Sequence, residues 1–292
     1  MNFDIFRPSP IQQIHDIELE KYDVKVYIKR EDLIHPLISG NKWRKLKYNL
    51  KEANKLECSS IVTFGGAYSN HIYAVAAAGK IFNFATKGII RGEKSLPLNP
   101  TLSFAKECGM NIYYETRENY RKKEEIQYLS VVKEKFKNCY ILPEGGTNEH
   151  ALEGCAEVID EIDIPFDIIC TPCGSGGTLA GLSTRNVKTL GFCVLKGYGM
   201  LDSKIQSLLQ AKKTNWTINY DYHFGGYAKF DQLLINFITR FKDIHNIQLE
   251  PIYTGKMMFG IYDLIKKGYF KKGESIIALH TGGLQALQSL QM

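Results

Sequence analysis

The sequence lacks any run of about 18 apolar residues, and its first residues, MNFDIFRPSPIQQ, carry neither a basic start nor an apolar core. A membrane-spanning helix needs the former and a secretory leader the latter, so a cytoplasmic location is expected. A disulfide framework is also missing. The seven cysteines, Cys58, Cys108, Cys139, Cys155, Cys170, Cys173 and Cys193, are odd in number and scattered, which suits reduced thiols. Cys170 and Cys173 form one C-x-x-C, yet zinc takes four ligands and no second pair stands at a matching spacing. A thioredoxin-like site opens an early βαβ unit, whereas this pair lies past mid-chain. No metal is expected. The charge excess is modest, a formal +6, and basic groups such as 121–123, Lys212-Lys213, Lys266-Lys267 and Lys271-Lys272 are dispersed. With no contiguous stripe and no reader motif, nucleic acid is not an expected partner. A small anionic ligand fits the charge at least as well.

What is present is an ordinary folded composition: 292 residues, 44% hydrophobic and 23% charged, enough for two domains or one large α/β unit. Short apolar runs alternate with amphipathic stretches: SSIVTF with HIYAVAAAGK, KGIIRG with PTLSFAKECG, NIYYET with EEIQYLSVVKEKFK, CYILPEGG with HALEGCAEVIDEI, FDIICTPCG with TLAGLSTRN. Nearly continuous β-branched and aromatic strands imply parallel sheets covered by helices, so the fold class is α/β, doubly wound. No Pro/Ser-rich linker marks a boundary. Topology suggests a smaller domain, 45–150, inserted into a larger one made of 1–44 and 151–292. In such sheets ligands sit beyond the carboxyl ends of the strands, and the loops there are rich in glycine.

The strongest of these loops is Gly174-Ser175-Gly176-Gly177-Thr178, between a strand and a helix. Backbone N–H groups freed from side-chain bulk make an anion site there. The dinucleotide fingerprint fails because position 179 is leucine, and the triphosphate loop fails because no lysine lies between Gly174 and Gly181. A phosphate monoester remains, with the Ser175 and Thr178 hydroxyls as further donors. Lys42, in Ser39-Gly40-Asn41-Lys42-Trp43-Arg44-Lys45, stands at a predicted helix start, where partial burial and the helix dipole lower an ammonium pKa and make a nucleophile. Ser69, in Gly65-Gly66-Ala67-Tyr68-Ser69-Asn70-His71, caps a predicted helix. Tyr253-Thr254-Gly255-Lys256 opens another. His280 ends the last strand and reads as structurally satisfied rather than catalytic.

Taken in order, KRED, GNKWRK, GGAYSNH, PEGGTN, CGSGGTLAG, PIYTGK and LHTGG resemble the tryptophan-synthase β-like pyridoxal-phosphate enzymes. Within that group the chain is similar to the 1-aminocyclopropane-1-carboxylate deaminase and D-cysteine desulfhydrase family. The resemblance covers nearly the whole length and implies a two-domain fold-type-II architecture with pyridoxal 5′-phosphate between the domains of a homodimer. It implies Lys42 as the Schiff-base lysine, Asn70 on the phenolic oxygen, and Gly174, Ser175, Gly176, Gly177 and Thr178 on the phosphate. Ser69, Asn70 and His71 would face the substrate carboxylate, through backbone donors and the helix start. Tyr253 and Tyr227, the latter in HFGGYAKF, would stand near the reacting centre.

The same resemblance bears on specificity. The deaminases carry glutamate after the tyrosine of the YTGK segment and leucine at the strand-end position. This chain has Thr254 and Thr281, the desulfhydrase pattern, and both are expected beside the pyridine nitrogen. Neutral hydroxyls there make a weaker electron sink than a carboxylate. A weaker sink suffices for β-elimination of a thiolate. The expected activity is therefore a β-eliminating amino-acid lyase giving pyruvate and ammonia, with ring-opening deamination to 2-oxobutyrate as the alternative.

Overall fold

The structure, a computed structural model, describes residues 8–210, 213–285 and 287. Residues 1–7, the first part of the segment read above for targeting, and Lys212 of the basic pairs lie outside the described residues. The chain opens with β1 (Ile11–Ile14), α1 (Ile17–Glu20) and β2 (Lys25–Lys29), then enters α2 (Asn41–Lys55). Strand and helix alternate through β3 (Ser60–Gly65), α3 (Asn70–Phe82), β4 (Ala85–Arg91), α4 (Pro100–Glu107), β5 (Asn111–Glu115), α5 (Arg117–Tyr120), α6 (Ile126–Phe136), β6 (Cys139–Leu142) and α7 (Glu149–Asp160). They continue through β7 (Ile168–Cys173), α8 (Gly177–Ser183), β8 (Lys188–Cys193), α9 (Asp202–Leu209), β9 (Trp216–Asn219), α10 (Gln232–His245), α11 (Thr254–Lys266) and β10 (Ser275–Leu279).

Two sheets result. One has four strands in the order β5-β4-β3-β6, all parallel. The other has six, in the order β1-β2-β10-β7-β8-β9, parallel except for the edge pair β1 and β2. The expected α/β class is therefore observed, with the four-stranded sheet drawn from 60–142 and the six-stranded one from the chain on either side. Burial follows position in the sheet: all six residues of central β3 are buried, whereas edge strand β5 buries none fully. Covering helices protect the centre of a parallel sheet more completely than its edge.

Helix α2 joins the two halves. Its stripe of Trp43, Leu46, Leu50 and Ala53, spaced to recur on one helix face, packs into the core of the smaller sheet with Ile61, Ile72 and Val75. Its Arg44 points the other way, to Glu31 at 2.8 and 2.9 Å and to Glu161 at 2.6 Å through two nitrogens. Glu31 is fully buried and also accepts from the Ser9 hydroxyl at 2.6 Å. Glycine permits the closest approaches. At Gly40, φ +66°, any Cβ would overlap the carbonyl of Thr281, and at Gly154 it would overlap that of Arg44. Cys170 and Cys173 are buried residues of β7, both free thiols. Among the described residues no helix is long and apolar enough to cross a membrane, and no group of three or more His, Cys, Asp or Glu could hold a metal ion.

Candidate active site

The loops that leave β2, β3, β6, β7, β8 and β10 at their carboxyl ends converge on one cavity of about 810 Å³ between the sheets. Its wall brings together Lys42, Ser69, Asn70, His71, Gly174, Ser175, Gly176, Thr178, Tyr227, Tyr253 and Thr281. Residues spread over 240 positions of sequence meet there because parallel strands all deliver their following loops to one edge.

Lys42 is the second residue of α2 and half-buried, with its Nζ 3.3 Å from Asn41 Oδ1. Burial, reinforced by the neighbouring Lys45 charge and partly offset by Cys155, lowers its pKa to about 7. A large share of the amine is then neutral near pH 7, which is what a nucleophilic lysine requires.

One turn further on is a second lysine that the sequence reading passed over. Lys45 is buried, and its Nζ donates to Thr147 Oγ1 at 3.1 Å, Ser175 Oγ at 3.3 Å and the Gly145 carbonyl at 3.3 Å. Its spacing of three from Lys42 puts both on one helix face, the only sequence signal available.

The glycine loop is built as a cradle. Gly176 takes φ +80°, and a Cβ there would lie 2.7 Å from Ile205 Cγ1. Gly177 packs against Thr147 behind the wall, where a Cβ would stand 2.6 Å from its side chain. Ser175 Oγ lies 2.8 Å from Thr147 Oγ1, and Thr178 Oγ1 accepts from Asn41 Nδ2 at 2.9 Å.

On the opposite wall Ser69 caps α3, its hydroxyl oxygen accepting from the amides of His71 at 3.2 Å and Ile72 at 3.4 Å. The His71 amide, expected as a free donor, is therefore already engaged. The His71 ring is buried, with Nε2 2.8 Å from Thr63 Oγ1, and that hydroxyl donates onward to the Leu142 carbonyl at 3.0 Å. This relay puts the ring proton on Nε2 and leaves Nδ1 a buried acceptor with no partner. Burial, with Lys42 and Lys45 adding to it, holds the ring pKa well below its ordinary value, so the imidazole is neutral. Asn70 Oδ1 accepts from Gln285 Nε2 at 2.8 Å; its own Nδ2 lies beside Gly283.

The tyrosines sit across the cavity, Tyr227 and Tyr253 with ring centroids 6.0 Å apart at 69°. Burial first, then Tyr227, raises the Tyr253 phenol well above its ordinary pKa, so it stays protonated. Buried Lys256 ties the two segments together, donating to the carbonyls of His223 at 2.9 Å and Gly226 at 2.8 Å.

One expected placement is corrected. Thr254 is fully buried and does not line the cavity; its hydroxyl donates to Glu250 Oε1 at 3.1 Å. Glu250, unnoticed in the sequence, is a buried carboxylate that also accepts from the amides of Ile252, Tyr253 and Thr254 at 2.7 to 3.2 Å. Those amides at the start of α11 need an acceptor, and this requirement draws Thr254 inward. Thr281 alone of the pair faces the cavity. His280 is structural, as expected: Nε2 lies 2.7 Å from the Gln248 carbonyl and Nδ1 accepts from the Gly282 amide at 3.3 Å.

An amine near neutrality and a glycine cradle with a buried ammonium beside it fit pyridoxal phosphate, whose aldehyde and phosphate need them. Comparison with known proteins points the same way. The profile of the pyridoxal-phosphate dependent enzyme family matches residues 3–282. A Pyrococcus furiosus protein provisionally named a 1-aminocyclopropane-1-carboxylate deaminase is 33% identical over 94% of this chain and 89% of its own. The Arabidopsis thaliana mitochondrial protein named bifunctional D-cysteine desulfhydrase/1-aminocyclopropane-1-carboxylate deaminase is 29% identical over 90% of this chain and 73% of its own. A solved structure described as an ACC deaminase homologue superposes with a TM-score of 0.83 at 28% identity, covering 98% of this chain and 94% of that one.

Proposed function

The chain belongs to the pyridoxal-phosphate dependent enzymes, and from that premise we propose that it is an amino-acid lyase of the D-cysteine desulfhydrase kind, converting D-cysteine and water to pyruvate, hydrogen sulfide and ammonia. The observation that carries this reading is the chemistry of the cavity wall. The acids in it, Asp32, Glu124 and Glu144, are each engaged by a neighbouring cation, and the α11 and β10 side offers the Thr281 hydroxyl. A wall without an unpaired carboxylate among the described residues favours a weak electron sink, which suits a substrate with a good leaving group.

When bound, pyridoxal phosphate supplies an aldehyde for amines and a ring that withdraws electrons from the substrate α-carbon. Lys42 holds the aldehyde. The backbone of 174–178, the Ser175 and Thr178 hydroxyls and Lys45 hold the phosphate. Asn70 Nδ2 takes the phenolic oxygen, and Thr281 addresses the ring nitrogen. The Ser69 hydroxyl and the Asn70 amide at the start of α3 receive the substrate carboxylate; His71, expected to share that role, has its amide held by Ser69 Oγ and its ring proton by Thr63. Lys42 Nζ, with its pKa close to 7, takes the α-proton, and the protonated Tyr253, paired with Tyr227, donates to the departing group. The two units that close on the site are 1–44 with 151–292, and 45–150. The same reading makes the protein a cytoplasmic homodimer: its seven cysteines are free thiols, and Leu96, Ile126 and Tyr198 expose apolar surface.

A second reading, ring opening of 1-aminocyclopropane-1-carboxylate to 2-oxobutyrate and ammonia, is favoured by the name of the archaeal relative. The two are separated by offering purified, cofactor-loaded protein each substrate. Pyruvate and sulfide in equal amounts from D-cysteine support the proposal; 2-oxobutyrate without sulfide overturns it.

A further inference from the structure

Among the described residues, the cavity wall holds one cation for which the proposed reaction has no use. Lys42 and Lys45 are assigned above, and Lys204 reaches Glu124 at 3.7 Å. Every acid in the wall is likewise spoken for: Asp32 by Arg30 at 2.7 Å, Glu124 by Lys204, and Glu144 by the Tyr120 hydroxyl at 2.9 Å and Lys123 at 3.2 Å. Arg91, the last residue of β4, lines the same cavity. It has no carboxylate partner among the described residues, and its Cζ stands 5.9 Å from the centre of the Tyr120 ring. Its neighbour across the wall is Gly66, where even an added Cβ would remain 3.7 Å from Nη2. The guanidinium is thus open to the cavity beside the turn that leads to Ser69 and Asn70.

An arginine so placed is a planar fork of donors matched to carboxylates and other oxyanions. The cavity, about 810 Å³, is large for a coenzyme and a three-carbon amino acid and falls in the range that encloses bigger ligands. We propose that Arg91 binds an anionic group at the far end of the substrate's β-substituent, so that this chain prefers amino acids whose leaving group carries a carboxylate over uncharged counterparts. The proposal rests on the lyase reading above. In such an elimination the α-proton is removed, the Cβ–O bond breaks with its electron pair leaving on the carboxylate ester oxygen, and water converts the remaining aminoacrylate to pyruvate and ammonia.

Two serine esters of similar leaving ability, the succinate being the slightly poorer leaving group, isolate the contact: O-acetyl-D-serine, with a neutral tail, and O-succinyl-D-serine, with a carboxylate at its end. Binding is read from the visible absorbance change of the cofactor-loaded enzyme on titration, and elimination from pyruvate. The wild type should favour the succinyl ester at least tenfold in kcat/KM and in affinity. Arg91→Gln should erase that preference, and Arg91→Lys should restore part of it, with cofactor absorbance confirming that each variant is folded and loaded. A wild type indifferent to the tail, or an Arg91→Gln that loses both esters equally, overturns the assignment. Selective binding of the succinyl ester without any pyruvate would support Arg91 while contradicting the lyase reading. Pyruvate released equally from both esters would contradict Arg91 alone.

Discussion

Removing the Lys45 ammonium should move two quantities in opposite directions. The group is buried and, among the described residues, donates only to neutral oxygens, those of Gly145, Thr147 and Ser175. Burial lowers its pKa, Cys155 and Cys173 pulling the other way and Lys204 adding to the lowering. Where a lysine's folded pKa lies below its unfolded one, the unfolded chain holds more protons between the two values, so stability rises with pH across that window. In the cofactor-free protein the ammonium is a desolvated charge without a counter-charge. Lys45→Met keeps the length and removes the charge, and should leave the apoprotein as stable as wild type or more so, by an amount that shrinks as pH rises. With the phosphate present the sign reverses. A charge-assisted hydrogen bond is worth roughly 1.5–3 kcal/mol, so the cofactor dissociation constant should rise roughly ten- to hundredfold. Urea denaturation of the apoprotein at neutral and alkaline pH gives the first quantity, and absorbance titration with pyridoxal phosphate the second. A Lys45→Met protein that binds the cofactor as tightly as wild type would refute the assignment. So would an apoprotein destabilised by several kcal/mol, since the ammonium would then be a clamp between α2 and the glycine loop.

Glu31→Ala should destabilise the fold by about 3 kcal/mol, the low end for breaking a buried pair because Glu161 still engages Arg44; chemical denaturation measures it. Thr254→Val removes a donor from the buried Glu250 carboxylate and should cost roughly 1.5–3 kcal/mol of stability, while shifting the ratio of products from D-cysteine and 1-aminocyclopropane-1-carboxylate less than Thr281→Val does. Covalent loading of apoprotein should quicken as pH rises through about 7 and then level off, because the Lys42 amine loses its proton there; stopped-flow absorbance checks it, and a rate still climbing toward the ordinary lysine range would contradict the lowered pKa.

The parts of the site that were legible in the sequence are those set by backbone geometry. Strand, glycine turn and helix recur with unmistakable spacing, and α2 opens at Asn41, so Lys42 stands at a helix start as expected. Lys45 and Glu250 were not legible because a charged residue in isolation reads as a surface residue, and only the fold shows that both are buried. Thr254 was misplaced for a related reason. It follows Tyr253 directly, but Tyr253 is the non-helical cap residue of α11 and Thr254 its first helical residue, so the tyrosine faces the cavity while the threonine faces Glu250. Helix α10 passed unassigned although Leu234, Ile238 and Phe241 recur at helical spacing and are all buried.

The central claim is that Lys42, and not the more deeply buried Lys45 three residues away, carries the cofactor. Reducing the loaded enzyme with borohydride and mapping its peptides by mass spectrometry decides between them. The account predicts a single pyridoxyl group on Lys42 and none in Lys42→Ala; a pyridoxyl group on Lys45, or on any other lysine of the wild type, would contradict it.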